Sequence, residues 1–331
     1  MRTIITLCLV AGMCLIGWSP QAQAAPKAIK LMYIQNDGDQ MDVIAKKAKA
    51  FIEEKTGGRY RIDLLCCSKM GSEESMVTAI RTGVVPMALL TCPGYADAMM
   101  NVTTLPYIIK DLEHFYKVFE GPVGKEIGEH FSQATGVSPK VWYYRIHQMI
   151  FTSKPLLKPE DWPKFKIRTA AQVGNTCQVE AMKGHVVPLP FTEVYMALKT
   201  GVVDGVQTVM DWFVSFKLYE TCKYAIDIKH DFSPMAIYFN DKFSASLPPE
   251  DYEIFIEAFA RQKEENEIWV DENFKRYYQK MVDEGVTITV ASDEDIALYS
   301  KQCQDFIRKN ADLYGGMEIY EKMLKAGGYG N

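Results

Sequence analysis

An α/β fold is the class this sequence predicts, and three observations predict it. Short apolar runs alternate with helical patterns through the first third of the chain. The same alternation resumes after Pro163, and one unusually long helical pattern covers residues 249–284. Alternation of this kind is the signature of strands crossed over by helices. Residues 28–35 (AIKLMYIQ) read as a strand and residues 40–55 as a helix stopped by Gly57-Gly58. In residues 59–66 (RYRIDLLC), Tyr60, Ile62 and Leu64 share one face of a second strand. Ser72 then caps a helix whose first turn holds Glu73 and Glu74, which suits the helix dipole. The apolar run at residues 85–90 fits a strand buried on both faces. This order predicts a mostly parallel sheet.

The second half repeats the grammar. Residues 164–169 predict a strand, 173–182 a helix, and Val186-Val187 another short strand. A helical pattern at 192–200 stops at Gly201, and an apolar run follows. The pattern at 249–284 has Ile254, Phe255, Ala258 and Phe259 as its first apolar stripe and Phe274, Tyr277, Tyr278 and Met281 as its later one. At 1.5 Å per residue it would reach roughly 54 Å, more than one domain's width, so it crosses two domains or bends between them. A chain of 331 residues also exceeds the usual single core.

The first residues predict a targeting segment. Arg2 supplies the positive start, residues 4–18 the apolar stretch and Ala22-Gln23-Ala24 a small-residue cleavage site. Cleavage near Ala24 removes one of the 37 basic residues and none of the 42 acidic ones, which leaves a mildly acidic exported protein. That balance offers no footprint for nucleic acid or anionic membranes. Cys8 and Cys14 leave with the segment. Of the remaining Cys66, Cys67, Cys92, Cys177, Cys222 and Cys303, the adjacent first two should face opposite sides of a strand, and buried thiols are expected rather than a bridge.

The common catalytic patterns are missing. There is no G-x-S-x-G elbow and no H-E-x-x-H, and His114, His130, His147, His185 and His230 are scattered. GPVGKE at 121–126 fails as a phosphate loop, because Phe119 replaces its first glycine and Glu126 its serine or threonine. Neither a cofactor nor a metal is implied. Arg168 stands apart: it ends a strand just before a helix start, where open α/β sheets bind ligands. Its guanidinium fork matches a carboxylate in two parallel hydrogen bonds, and the helix start adds positive potential.

Four stretches resemble the DctP-type substrate-binding protein of tripartite ATP-independent periplasmic (TRAP) transporters. They are KMGSEESMVTAIRTGVVPMAL (69–89), LPYIIKDLEHFYKVFEGPVGKEI (105–127), KPEDWPKFKIRT (158–169) and PLPFTEVYMALKTGVVDGVQT (188–208). The resemblance implies a two-domain periplasmic-binding-protein clamshell (type II-like) with a long helix spanning both domains. It implies a signal peptide at 1–24, a first domain of 25–146 plus about 235–270, and a second of 147–234 plus about 271–331. The function implied is capture of an organic acid and delivery to small and large membrane permease subunits, without catalysis; a sensor subunit for a membrane kinase is the alternative.

Carried over residue by residue, Arg168 is the arginine that pairs with the ligand carboxylate and Phe191 the aromatic that packs on it. Glu73 supplies a polar contact, while Gln35, Asn36 and Thr91 line the cleft from the other domain. Three departures matter. Thr208 stands where the family has asparagine, and Trp212 where a small or polar residue is usual. A second arginine some twenty residues before the first is replaced by His147 and Gln148; Arg145 could stand in only if the loop shifts by two or three residues. Loss of a cation and gain of an indole favour a monocarboxylate with an apolar or aromatic body.

Overall fold

The structure is a computed structural model that describes residues 25–326 apart from positions 68, 70, 172, 231 and 233. The expected signal segment therefore lies outside the described residues. Eleven described strands run in chain order as β1 (Lys27–Met32), β2 (Tyr60–Leu65), β3 (Met87–Thr91), β4 (Val137–Tyr144), β5 (Gln148–Thr152), β6 (Lys166–Thr169), β7 (His185–Pro188), β8 (Gly205–Val209), β9 (Tyr224–Asp227), β10 (Pro234–Asn240) and β11 (Thr287–Val290). They form two sheets, ordered β2-β1-β3-β10-β4 and β11-β9-β5-β8-β6-β7.

Each sheet is mixed rather than mostly parallel. β1 pairs parallel with β2 and β3, but β10 runs antiparallel to both β3 and β4. In the second sheet β6 is parallel to β7 and β8, whereas β5 is antiparallel to β8 and β9. The antiparallel strands β5 and β10 enter their sheets directly from a strand of the other sheet with no helix between, whereas β11, which crosses back through helices, pairs parallel with β9. A strand that enters a sheet without a helical crossover need not run parallel to its neighbours.

The long helical pattern is two helices, Pro249–Ala260 and Gln262–Asp283, divided at Arg261. The second packs on helix Gln40–Lys55 and β4 of one lobe and on helix Met210–Ser215 of the other. Its buried face is polar where it meets the crossing. Asn266 Nδ2 donates to the Tyr144 carbonyl at 2.8 Å, and Gln40 Nε2 donates to Asn266 Oδ1 at 2.7 Å. Gln40 Oε1 accepts from the Ile146 N–H, so one side chain fastens the crossing segment to both helices.

Two expectations need correction. Helix Met317–Ala326 packs on helices Leu112–Phe119 and Pro122–Thr135 of the first lobe, burying Ile319, Tyr320 and Met323, so it does not belong with the second domain. Cys66 and Cys67 are disulfide-bonded to each other, because β2 ends at Leu65 and Cys67 turns into the left-handed region at φ 64°. Cys92, Cys177, Cys222 and Cys303 are buried free thiols.

Candidate functional site

Between the two sheets lies a partly open cavity of about 50 Å³. By the room a water needs, roughly 10–15 Å³ in this measure, it holds several waters or one compact solute. Its wall draws on both lobes. Glu73, Glu74, Thr91 and Thr104 come from the first, and Gln148, Arg168, Asn175, Phe191, Gln207, Thr208 and Trp212 from the second. Arg145, in the segment between β4 and β5, lines it as well.

Arg168 reaches the cavity from β6, and its anchoring is specific. Nε and Nη2 both donate to the Leu189 carbonyl, at 2.9 and 2.6 Å. That fixes one edge of the guanidinium and leaves both Nη1 hydrogens and the second Nη2 hydrogen for a ligand. The group lies 5.3 Å from the Phe191 ring centre. Burial pushes its pKa down to about 10, against the opposing charges of Glu73 and Glu74. Among the described residues no carboxylate forms an ion pair with it, so its charge is held by the Leu189 carbonyl.

Arg145 is equally buried, at 4% exposed, and its guanidinium lies 5.1 Å from the Trp212 ring centre. Its Nε and the Trp212 Nε1 are buried donors with no partner among the described residues. Phe191 and Trp212 meet edge to face with centres 4.3 Å apart, so the two arginine–aromatic pairs form one continuous wall. Glu73 opens its helix on the opposite side. Its two carboxylate oxygens accept from the Thr91 N–H at 3.0 Å and the Thr91 hydroxyl at 2.8 Å. Burial raises its pKa, while the Thr91 bonds and then the Arg145 charge oppose the rise.

Arg168, Phe191, Thr208, Trp212, Gln148, Glu73 and Thr91 are thus brought together, and three expected residues are not. His147 turns away to Asp227, Nε2 to Oδ1 at 2.7 Å. Gln35 reaches across the lobes to Asp211 rather than into the cavity. The Asn36 N–H bonds to Asp39 Oδ2 at 3.2 Å within its own turn. Arg145 lines the cavity too, from the segment between β4 and β5 where Ile146 separates it from His147 and Gln148 and the sequence alone gave no fixed register. Glu74, Thr104, Asn175 and Gln207 carried no sequence signal.

Two α/β lobes around a shared cavity lined by two buried guanidiniums, neither ion-paired among the described residues, define a clamshell solute-binding protein. The chain belongs to the family described as bacterial extracellular solute-binding protein, family 7 (DctP), whose model matches residues 33–312. It is a DctP-type substrate-binding protein of TRAP transporters and not an enzyme. The family is extracytoplasmic and works with membrane permease subunits. No helix among the described residues is long and apolar enough to cross a membrane.

The chain is 23% identical over 296 residues, 88% of this chain and 89% of the relative, to the 2,3-diketo-L-gulonate-binding periplasmic protein YiaO of Escherichia coli. Among solved structures it is similar to a TRAP periplasmic solute-binding protein from Desulfovibrio salexigens with bound orotic acid. The TM-score there is 0.86 at 18% identity, covering 91% of this chain and 98% of that one. A Haemophilus influenzae counterpart with bound L-gulonate gives 0.83 at 24% identity, covering 91% and 99%.

Proposed function

We propose that this protein captures a compact, hydroxylated carboxylate and delivers it to a TRAP permease. One observation carries the reading: two buried arginines, Arg168 and Arg145, and the Glu73 carboxylate line the same small cavity. The free Nη1–Nη2 edge of Arg168 takes the ligand carboxylate. Arg145 and the Trp212 indole N–H offer further donors to ligand oxygens, while Glu73 accepts from a hydroxyl. Closing the lobes then completes contacts that neither makes alone, which favours the closed state.

The apolar-bodied monocarboxylate expected from the sequence fits this wall less well. Its premise was a missing cation, and Arg145 supplies one. The indole face that was to stack on the ligand is already turned to Arg145 at 5.1 Å. Acids with hydroxyl or ring N–H donors also match what two structural relatives hold, L-gulonate and orotic acid. No observation favours the sensor alternative.

A thermal-shift screen tests the reading, since a ligand that binds only the folded state raises the melting temperature by mass action. Sugar acids, hydroxy acids, dicarboxylates, 2-oxo acids and aromatic acids form the panel. The largest shift is expected from a hydroxylated acid. A largest shift from an aromatic monocarboxylate without hydroxyls would contradict the proposal.

A further inference from the structure

At the floor of the cavity three buried polar side chains bond to one another. Gln148 on β5 and Gln207 on β8 are diagonal neighbours, since Gln148 pairs with Val209 and Ile150 with Gln207. Gln207 Nε2 lies 2.7 Å from Gln148 Oε1. His230, on the chain between β9 and β10, places Nε2 3.1 Å from that same oxygen and 3.5 Å from Gln207 Nε2. Both glutamines line the cavity and His230 stands behind them.

We infer that His230 is a positioning residue: its Nε2–H fixes the polarity of the two amides, so that Gln148 offers its NH₂ group and Gln207 its carbonyl oxygen to the ligand. The inference rests on the solute-binding reading for what lies opposite the amides, but the ring tautomer does not depend on it.

Amide nitrogen and oxygen exchange places on a flip, so the network must decide between two polarities. In the first, Gln148 Oε1 accepts from Gln207 Nε2 and from His230 Nε2–H. The atoms left without a partner among the described residues are then acceptors, Gln207 Oε1 and the bare Nδ1 of His230. In the second, both amides are reversed and Gln148 Nε2 donates to Gln207 Oε1 and to a bare His230 Nε2. The ring proton must then sit on Nδ1, a buried N–H with no acceptor among the described residues. Stranded buried donors are rarer than stranded acceptor lone pairs, which favours the first arrangement. Reversing one glutamine alone sets two N–H groups or two oxygens face to face at 2.7 Å. A charged ring would strand Nδ1–H as well; burial, reinforced by His147, pushes the His230 pKa down to about 3 and keeps the ring neutral.

The consequence is selectivity. A ligand oxygen opposite Gln148 meets a donor, and a ligand hydroxyl opposite Gln207 meets an acceptor. A solute with the reverse pattern leaves buried groups unpaired.

Two measurements test this. In ¹⁵N-labelled, ligand-free protein, long-range ¹H–¹⁵N correlation should show His230 as the Nε2–H tautomer from pH 5 to 8. An Nδ1–H tautomer overturns the inference whatever the ligand proves to be. In the binding arm, the tightest binder among L-gulonate, orotate and succinate is titrated into wild type, His230→Gln and His230→Met. Glutamine places an N–H where Nε2 stands, whereas methionine keeps bulk without a donor. The glutamine variant should bind within about threefold of wild type and the methionine variant about tenfold or more weaker, as loss of one buried hydrogen bond implies. Equal weakening of both makes His230 a packing residue and overturns the inference. Failure of wild type to bind any of the three acids contradicts the carboxylate reading instead, and the tautomer measurement still decides this one.

Discussion

Gln35 Nε2 donates to Asp211 Oδ2 at 2.6 Å, joining the loop after β1 in one lobe to the helix after β8 in the other. Gln35 Oε1 in turn accepts from the Met41 N–H, so the side chain is held at both ends. Neither residue lines the cavity. The bond therefore acts on closure rather than on ligand contact. Hydrogen bonds to charged groups contribute about 1.5–3 kcal/mol. Gln35→Ala is expected to weaken solute affinity by roughly tenfold or more, with the rank order of ligands unchanged in calorimetry. A changed rank order would place Gln35 in the binding wall.

Arg145→Ala removes the second cation and the face-on partner of Trp212. Affinity for a hydroxylated acid is expected to fall by about 10–100-fold, the effect of one lost charge-assisted hydrogen bond. Arg145→Lys keeps the charge but not the planar stack on the indole, and should recover only part of the loss. Full affinity in Arg145→Ala, measured by calorimetry, would return the ligand to the monocarboxylate expected from the sequence.

Gly174 is a point of close approach between the lobes beside the cavity. A Cβ there would lie 2.0 Å from Thr104 Oγ1 and 2.5 Å from the Asn101 carbonyl, both in the 3₁₀ turn Ala98–Thr104 of the opposite lobe. Backbone cannot step aside as a flexible side chain can. Gly174→Ala should hold the lobes apart, so that solution scattering no longer shows compaction on adding ligand. Normal compaction would mean that the two lobes need not close this far.

Asp39 gives a pH dependence with a definite sign. It is buried at the start of helix Gln40–Lys55, and burial followed by the Asp211 charge raises its pKa to about 7. The unfolded carboxyl titrates near 3.8, so the folded state binds more protons between those values. Its contribution to stability is most favourable below pH 4 and is lost as pH rises to 7, by up to about 1.4 kcal/mol per unit. His230 works in the opposite direction, gaining stability as pH climbs from 3 toward 6.5. The wild-type curve is flattened by this opposition, so a variant is needed. Asp39→Asn should melt progressively higher than wild type as pH goes from 4 to 7; a constant difference would refute the assignment.

What was legible in the sequence follows physical locality. β1, β2, β3, β6 and β7 were readable because each is a short apolar run next to a capped or glycine-stopped helix. β10 (PMAIYFN) is buried along its whole length and shows no alternation, so nothing local distinguished it. Its partners β3 and β4 lie far away in sequence, and they alone determine its direction. The same holds for the site. Arg168 and Phe191 sit in the most recognisable segment of the chain. Arg145 depended on where a crossing segment turns, which Gln40 and Asn266 settle from two other helices. The disulfide between Cys66 and Cys67 likewise depended on the strand ending one residue before the pair.

The central claim is that Arg168 holds the carboxylate of the solute, and calorimetric titration of Arg168→Ala tests it most directly. The ligand is the tightest binder of the acid panel, and the ligand-free melting temperature serves as the folding control. Removing the cation relieves its burial cost but strands the Leu189 carbonyl it now bonds, so that temperature should change little. Affinity should fall by about 100-fold or more, since a bidentate charge-assisted pair is lost inside the cavity. Near wild-type affinity in a normally folded Arg168→Ala protein would contradict the account.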